Sequence, residues 1–163
     1  IIIPKVNGFP TIILWAVAAI VIVWFIWNKT TFGKNLYAVG GNPEAAAVSG
    51  ISVFAVTVGA FVLAGILYGF GSWLECARMV GSGSAAYGQG WETDAIAACV
   101  VGGVSFTGGI GKISGVVVGV LIFTALTYSL TILGIDTNLQ FGFSGIIILV
   151  AVSLDCLKYV QKK

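Results

Sequence analysis

Long apolar runs separated by short polar segments make up most of the chain. Four such runs cover residues 11–27, 51–74, 113–135 and 139–157. Each is close to the roughly 20 residues that an α-helix needs to cross a bilayer. A shorter, glycine-rich run at 95–110 predicts a short, broken or re-entrant helix, which is tolerated only where protein covers its backbone. The pattern therefore predicts an all-α, polytopic transmembrane helical bundle with about five membrane segments.

The composition supports a lipid environment. Hydrophobic residues make up 58% of the chain and charged residues only 9%, with a mean hydropathy of +1.06. Soluble domains average about a quarter charged residues and cannot hide this much apolar surface. The net charge of +2 is small and unclustered, which argues against a nucleic-acid partner. The first residue is Ile1 rather than Met, so we expect a piece of a longer protein.

The residues that usually carry catalysis or metal binding are sparse. There is no histidine, and Cys76, Cys99 and Cys156 lie far apart in or beside apolar runs, so we expect them to be small buried hydrophobes rather than zinc ligands. The stretch GGIGKIS resembles a phosphate loop, but Phe106 and Ile113 stand where that loop needs Gly and Ser/Thr. We therefore expect no metal site and no enzymatic activity.

The distribution of charges between the apolar runs predicts an orientation. Basic residues lie after the first run, before the third and after the last: Lys29, Lys34, Lys112, Lys158, Lys162 and Lys163. The alternate segments are mostly acidic: Glu75, Arg78, Glu92, Asp94 and Asp136. Because basic loops face the cytoplasm, we expect five crossings, with the Ile1 end extracytoplasmic and the Lys163 end cytoplasmic. An odd number of crossings is typical of half of an inverted-repeat transporter, so we treat residues 1–163 as one transmembrane domain with a cytoplasmic loop at 28–50.

No ionisable residue lies in the middle of a long apolar run. Glu75 and Asp94 lie at the edges, where we expect them to be solvated. Proton- or sodium-driven carriers usually need intramembrane carboxylates. A cation site built from broken-helix carbonyls is still compatible with this pattern, so the distribution of charge disfavours an ion-driven carrier without excluding it.

The cytoplasmic loop contains the stretch GGNPEAAAVSG, residues 40–50, which predicts a short capped helix. Asn42 suits the N-cap, Pro43 the first helical position and Glu44 the positive helix end. Ala45, Ala46 and Ala47 favour helix, Gly50 favours its end, and Gly40 and Gly41 favour a tight turn before it. About two turns are too short to be stable alone. The helix is either an ordinary connector or a docking element for another surface.

Two further patterns concern helix surfaces. Gly111, Gly115 and Gly119 recur every four residues, as do Gly65 and Gly69, which favours close helix packing within the subunit or at a dimer seam.

Hydroxyl groups also recur on one helical face, at Thr124, Thr127, Tyr128 and Thr131. They either line a path for a neutral hydroxylated solute or hydrogen-bond to backbone and neighbouring helices.

Three stretches resemble a known family. GKNLYAVGGNPEAAAVSGISV (33–53) is similar to the cytoplasmic segment of the bacterial ribose/galactose-type ABC permeases. DAIAACVVGGVSFTGGIGKISGVVVGVLIFT (94–124) and IIILVAVSLDCLKYVQKK (146–163) look most like the methyl-galactoside type. The resemblance implies an inner-membrane permease of about twice this length, of which this chain is the C-terminal half.

The resemblance also implies partners and a role for the short helix. Permeases of this family pair as dimers, bind cytoplasmic ATPase subunits that hold ATP and Mg, and receive sugar from a periplasmic binding protein, which sets most of the specificity. The coupling helix that seats in the ATPase corresponds here to Gly40, Gly41, Asn42, Pro43, Glu44, Ala45, Ala46, Ser49 and Gly50. This chain itself is then expected to hold no cofactor. We expect residues 81–94 to be extracytoplasmic; the sequence assigns them no contact, although the binding protein is the natural candidate.

Two other functions are compatible with the sequence. An ion-gradient-driven transporter half predicts a buried carboxylate or cation site, and a non-transporting membrane scaffold predicts no solute flux. Neither accounts for the capped cytoplasmic helix as well as an ATP-driven importer does.

Overall fold

The fold is described from a computed structural model that covers residues 5–6, 9–79 and 87–160. The described helices are α1 (Thr11–Lys29), α2 (Thr31–Gly41), α3 (Pro43–Val48), α4 (Val53–Arg78), α5 (Trp91–Val101), α6 (Ile113–Ile132) and α7 (Thr137–Val160). Two strands of two residues each, β1 (Lys5–Val6) and β2 (Phe9–Pro10), pair antiparallel before α1. Beyond this short pair, the regular secondary structure of the described residues is all helical, which confirms the predicted all-α class.

In the described ranges, three helices are long and apolar enough to cross a membrane: α1, α4 and α6. Within α7, Leu139–Val150 forms a shorter apolar stretch. Large apolar side chains of these helices are widely exposed, for example Leu14 at 65% and Phe61 at 75%. Such a continuous apolar surface needs lipid or further protein to cover it.

The chain divides into two compact units, residues 1–87 and 88–163. In the first unit, α1 ends at a tight corner with α2. The Thr30 hydroxyl donates to Ile26 O at 2.6 Å and accepts from Gly33 N at 3.2 Å, so it closes one helix and caps the next. A Cβ at Gly33 would lie 2.6 Å from the Trp27 carbonyl carbon. The corner therefore requires glycine at this position.

Aromatic side chains join the helices of the first unit. The Phe32 ring lies over Gly59, where an added Cβ would come within 2.7 Å of the ring, so α2 packs closely on α4. Trp15 of α1 makes edge contacts with Phe70 and Trp73 of α4, with ring centroids 6.1 and 6.3 Å apart. Such edge-to-face pairs add to the stabilisation from buried area.

In the second unit, α5 packs against both α6 and α7. Its small core consists of Ala97, Ala98 and Phe123, with Ile147 and Ile148 packed beside it. The small alanines of α5 allow the close approach, and Phe123 of α6 fills the space that they leave. This core fixes the face of α6 that points inward.

Several predicted boundaries differ from the structure. Gly40 and Gly41 were expected to form a turn, but they are the last residues of α2, because the Thr30 cap starts a helix that runs to the next cap at Asn42. Glu75 and Arg78 were expected in a loop but lie in the last turn of α4.

The glycine-rich segment is a short helix followed by turns. Helix α5 begins at Trp91, earlier than expected, and ends at Val101. Its 11 residues span roughly 16 Å at 1.5 Å per residue, about half of the hydrocarbon thickness. The predicted short helix in the glycine-rich region is therefore present.

Candidate functional site

The most distinctive local feature is an elbow in which α2 and α3 are separated by one residue. Asn42 ends α2, with its N–H donating to Ala38 O at 3.1 Å, and begins α3, with its Oδ1 accepting from Ala45 N at 3.0 Å. Pro43 stands at the first turn of α3 and Glu44 follows it. One side chain therefore fixes the direction change between the two helices.

The other end of α3 is closed by a glycine motif. Gly50 has a φ of +82°, its N–H donates to Ala47 O at 3.0 Å, and Ile51 N donates to Ala46 O at 3.0 Å. This pair of bonds defines a Schellman end, which satisfies the last carbonyls of a helix. The Ser49 hydroxyl also donates to Ala45 O at 2.8 Å. A helix of six residues is thus capped at both ends, so its backbone is held in place without a long packed face.

The two faces of α3 differ in exposure. Ala46 is only 4% exposed and packs on its own unit, whereas Val48 is 92% exposed. Pro43, Glu44, Ala45, Ser49 and Gly50 are exposed as well. Val48 is thus an exposed apolar side chain on a helix that is capped at both ends. Val48 was absent from the sequence-based set; its position, about 200° around the helix from Ala46, was the signal available.

A second candidate feature is the hydroxyl stripe on α6, formed by Thr124, Thr127, Tyr128 and Thr131. Thr127 Oγ1 donates to Phe123 O and Thr124 O, both at 3.1 Å. Thr131 Oγ1 donates to Thr127 O at 2.9 Å. Thr124, Thr131 and Tyr128 are exposed, the last at 68%. The backbone bonds foreseen as one alternative are thus present, while Thr127 is half-buried and the other three side chains stay exposed.

Gln140 of α7 extends this stripe. Its Nε2 donates to Ile135 O at 2.9 Å and to Thr131 Oγ1 at 3.4 Å. The residue was missed from the sequence because it lies on another helix, nine positions beyond Thr131. A polar residue near the start of an apolar run was the signal available.

The glycines of the two sequence repeats differ in the space that surrounds them. An added Cβ at Gly119 would overlap Ala98 O and lie 2.6 Å from Gly102 N, and one at Gly115 would overlap Gly102 O. Gly111 lies in the turn before α6, where an added Cβ would be 3.3 Å from the Val104 side chain. Gly65 and Gly69 have nothing within 4 Å of an added Cβ in the described residues. Gly102 was not expected, since it follows α5 rather than belonging to a repeat.

The turns between α5 and α6 satisfy much of their own backbone. Val104 N donates to Cys99 O at 3.1 Å, and Ser105 N donates to Ile110 O at 3.0 Å. Gly102 lies directly on the backbone of α6, since an added Cβ would be 2.5 Å from Gly115 O. Internal bonds and cover by a neighbouring helix are what non-helical backbone needs at membrane depth.

Asp94 is bonded to protein rather than simply solvated. Ser144 Oγ donates to Asp94 Oδ1 at 3.0 Å and to Gln140 O at 3.2 Å, and Ser144 is 2% exposed. Asp94 is half-buried. The expected edge carboxylate therefore keeps partial access to solvent, and α7 also brings a hydroxyl across to it at the first turn of α5. This bond ties the two helices together.

A polar cluster lies at the end of α4. Arg78 Nε donates to the Glu75 carboxylate at 3.0 and 3.1 Å, and its Nη2 donates to Tyr87 Oη at 2.7 Å. Tyr87 also donates to Glu75. The hydrogen bond to Glu75 raises the pKa of Tyr87 above its usual value. The segment 80–86 lies outside the described residues, so the expected binding-protein contact at 81–94 is only partly covered.

The cysteine side chains differ in exposure. Cys76 is an exposed free thiol and Cys99 a half-buried one, whereas the Cys156 side chain lies outside the described part. Exposure of Cys76 differs from the expected burial, because α4 is covered on few sides within its unit. In the described ranges, no group of three His, Cys, Asp or Glu side chains is placed to hold a metal ion.

Several long apolar helices are the features of a multi-pass membrane protein. Comparison with known proteins agrees: residues 4–152 match the family described as "Branched-chain amino acid transport system / permease component". The chain belongs to this permease family.

Curated relatives carry sugar-import names. The chain is 61% identical over 155 residues to the galactose/methyl galactoside import permease protein of Treponema pallidum, covering 95% of this chain and 29% of the relative. It is 51% identical over 152 residues to the protein of the same name in Escherichia coli, covering 93% and 45%. The ribose import permease protein of Bacillus subtilis is 43% identical over 148 residues, covering 91% and 46%.

The chain thus spans less than half the length of these relatives. The sequence-based resemblance to ribose/galactose-type permeases is confirmed. No solved structure matches the chain.

Proposed function

We propose that this chain is the C-terminal membrane half of a permease subunit in an ATP-driven importer of a monosaccharide of the galactose, methyl-galactoside or ribose type. The observation that carries the proposal is the capped elbow of α2 and α3, which presents Val48 on a rigid support. Sugar-import relatives that are 43–61% identical support the substrate class. ATP and Mg belong to a separate ATPase subunit, and this chain has no catalysis of its own.

The elbow is the coupling element between ATPase and membrane. In this proposal, α3 seats in a surface groove of the ATPase, with Val48 as its apolar anchor and Glu44, Pro43 and Ser49 around it. Gly40, Gly41 and Asn42 set the direction of the elbow, and Ala46 holds α3 to its own unit. Gly50 ends the helix, and Ala45 lies on the exposed side.

Movement passes from the elbow to the membrane through close contacts. When ATP binding closes the ATPase pair, the groove shifts and α3 moves with it. The Asn42 cap transmits the shift to α2, and the Phe32 ring on Gly59 transmits it to α4. A rigid link of this kind shifts the permease between two states that open to opposite sides of the membrane.

The proposed orientation follows the charges. Lys29 and Lys34 flank the α1–α2 corner, and Lys112 precedes α6, so these ends face the cytoplasm. The Lys163 end is then cytoplasmic and the Ile1 end extracytoplasmic in the bacterial inner membrane. This orientation requires the chain to cross the membrane through α5 and the turns that follow it. Internal backbone bonds and the cover by α6 support such a crossing.

The remaining proposed partners are a periplasmic or extracellular sugar-binding protein and a second permease subunit. The stripe of Thr124, Thr127, Tyr128 and Thr131 lines the solute pathway on an uncovered face of α6. Gly65 and Gly69, which have open space around them, are available for a helix of the other permease half or of the second subunit. Gly111, Gly115 and Gly119 serve packing around α6 within the unit.

A disulfide crosslink tests the coupling role. One cysteine replaces Val48 in a cysteine-free version of the complete permease, and another is placed in the groove of the co-expressed ATPase. We expect a crosslink in membranes whose yield changes with ATP. The matched control is Ala46→Cys, two residues away, which we expect not to crosslink because its side chain faces its own unit.

If no crosslink forms at Val48 in a complex shown to be folded and inserted, then α3 is an ordinary connector. Uptake that collapses with an uncoupler at constant ATP would then support the ion-driven alternative. No flux with every partner present would support the scaffold.

A further inference from the structure

The hydrogen bonds around the α6 stripe decide which of its groups can donate and which can accept. A hydroxyl has one proton and two lone pairs. The protons of Thr127 and Thr131 are directed to backbone carbonyls of α6. What these side chains offer on the uncovered face is therefore lone pairs.

Gln140 adds an acceptor to the same row. Its partner Ile135 O can only accept, so the side-chain amide must direct its nitrogen toward that carbonyl, and the orientation of the amide is fixed. The same nitrogen donates to Thr131 Oγ1. Within the described ranges the amide oxygen, Oε1, accepts no hydrogen bond, so it remains an acceptor.

Along α6 and the turn that follows it, within the described residues, no basic side chain accompanies this row. The sequence of α6 contains no Lys or Arg, and the turn to α7 contributes Asp136 rather than a base. A carboxylate brought to Thr127, Thr131 and Gln140 Oε1 would meet lone pairs without a cation, and leaving such a charge unpaired is costly. A neutral molecule rich in hydroxyl groups supplies the protons that the row needs.

We propose that Thr127, Thr131 and Gln140 form an acceptor row that binds hydroxyl donors of a neutral polyol and rejects carboxylate-bearing solutes. The inference rests on the proposed function and deepens it, since it assigns the permease a selective contact of its own. It also separates this chain from a carrier of amino acids, whose carboxylate the row does not accommodate. Gln140 is the specificity-determining residue for two reasons. Its Nε2 donates to Thr131 Oγ1, so that this hydroxyl acts as an acceptor, and its own Oε1 is a further acceptor.

Protection of a reporter cysteine tests the row directly. Tyr128→Cys, in an otherwise cysteine-free complete permease with its partners, places a thiol beside the row at a position that is 68% exposed. D-Galactose at high concentration is expected to slow modification of this thiol by a small maleimide several-fold, and L-leucine is not. Ser129→Cys is the matched reporter, because its side chain lies on α6 away from the stripe.

A second substitution assigns the effect to Gln140. Adding Gln140→Leu to the Tyr128→Cys reporter is expected to weaken the apparent affinity of protection by galactose about tenfold, the equivalent of one or two hydrogen bonds. Thr131→Val, which keeps the side-chain shape, is expected to do the same. Membrane level and assembly with the ATPase confirm that the variants fold.

The outcomes separate this inference from the proposed function. Three results would each overturn the acceptor row, whether or not ATP-driven uptake occurs. They are equal protection by galactose and leucine, protection at Ser129→Cys, and protection that Gln140→Leu does not change. ATP-driven sugar uptake without any protection at Tyr128→Cys would also overturn the row while leaving the importer in place. Protection by galactose alone, lost with Gln140→Leu, would support it.

Discussion

Ser144 Oγ donates a hydrogen bond to Asp94 Oδ1 at 3.0 Å, across 50 residues of sequence, and so ties α7 to the first turn of α5. Ser144 is almost fully buried, and its other acceptor is Gln140 O at 3.2 Å. Asp94 also lies where a negative charge favours the helix end. The pair therefore fixes the position of the short helix α5 relative to α7.

We expect Ser144→Ala to lower the free energy of unfolding by about 2 kcal/mol, because a hydrogen bond to a charged group is lost and the carboxylate is left without its donor. Asp94→Asn is the matched control, since its amide oxygen still accepts from Ser144. Thermal unfolding of the complete permease in detergent measures both. Equal melting temperatures for Ser144→Ala and the unmodified protein would show that the bond to Asp94 contributes nothing.

The contact between α5 and α6 predicts a strong dependence on residue size at one glycine. Gly119→Ala places a Cβ against Ala98 O and 2.6 Å from Gly102 N, and both are backbone atoms that cannot rotate away. We expect a loss of about 1–3 kcal/mol in the free energy of unfolding, as for other overpacked sites. Denaturant titration of helical circular dichroism measures it.

Gly65→Ala provides the matched control, because an added Cβ there has open space within its unit. It is expected to be neutral or to stabilise by up to about 1 kcal/mol through helix propensity. If Gly65→Ala destabilises the complete permease as much as Gly119→Ala, then Gly65 packs against a part of the protein beyond this chain.

The Tyr87 phenol predicts a pH effect at the end of α4. The hydrogen bond to Glu75 raises the pKa of Tyr87 above its usual value. Because the folded pKa is raised, the stabilisation from this bond is present below the unfolded pKa and is lost as pH rises through the folded one. We expect tyrosinate absorbance from Tyr87, identified by difference from Tyr87→Phe, to appear at higher pH than that of free tyrosine.

The variant Glu75→Gln keeps an acceptor but removes the charge, so the titration of Tyr87 should then move toward the ordinary value. A titration curve that is the same in Glu75→Gln as in the unmodified protein would show that the Glu75 carboxylate does not control the phenol.

The apolar pattern was sufficient to predict the class of fold, because long uncharged runs have few alternatives to membrane helices. The caps of α3 were also readable, since Asn42, Pro43 and Gly50 each have a strong local preference for their positions. Local chemistry of this kind needs no knowledge of distant contacts.

Contacts between distant residues could not be read in the same way. The Asp94–Ser144 bond depends on how α7 lies beside α5, and no local preference of either residue signals it. The helical continuation through Gly40 and Gly41 was missed because glycine disfavours helix, yet the caps at Thr30 and Asn42 outweigh that preference. The place of Gln140 beside the stripe depends on the turn between α6 and α7, which the sequence does not specify.

The elbow predicts that one cap controls both local order and transport. Asn42→Ala removes the acceptor of Ala45 N, which should cost about 1 kcal/mol of helix stability. We expect faster hydrogen exchange at the Ala45 amide and lower ATP-driven uptake, with the amount of assembled complex unchanged. Asn42→Ser keeps a capping oxygen and should retain most of both properties, because serine caps helices about as well as asparagine. Faster exchange at Ala45 with full uptake would mean that transport does not depend on the rigidity of the elbow. Slow exchange in Asn42→Ala would mean that the Schellman end at Gly50 holds α3 without its N-cap.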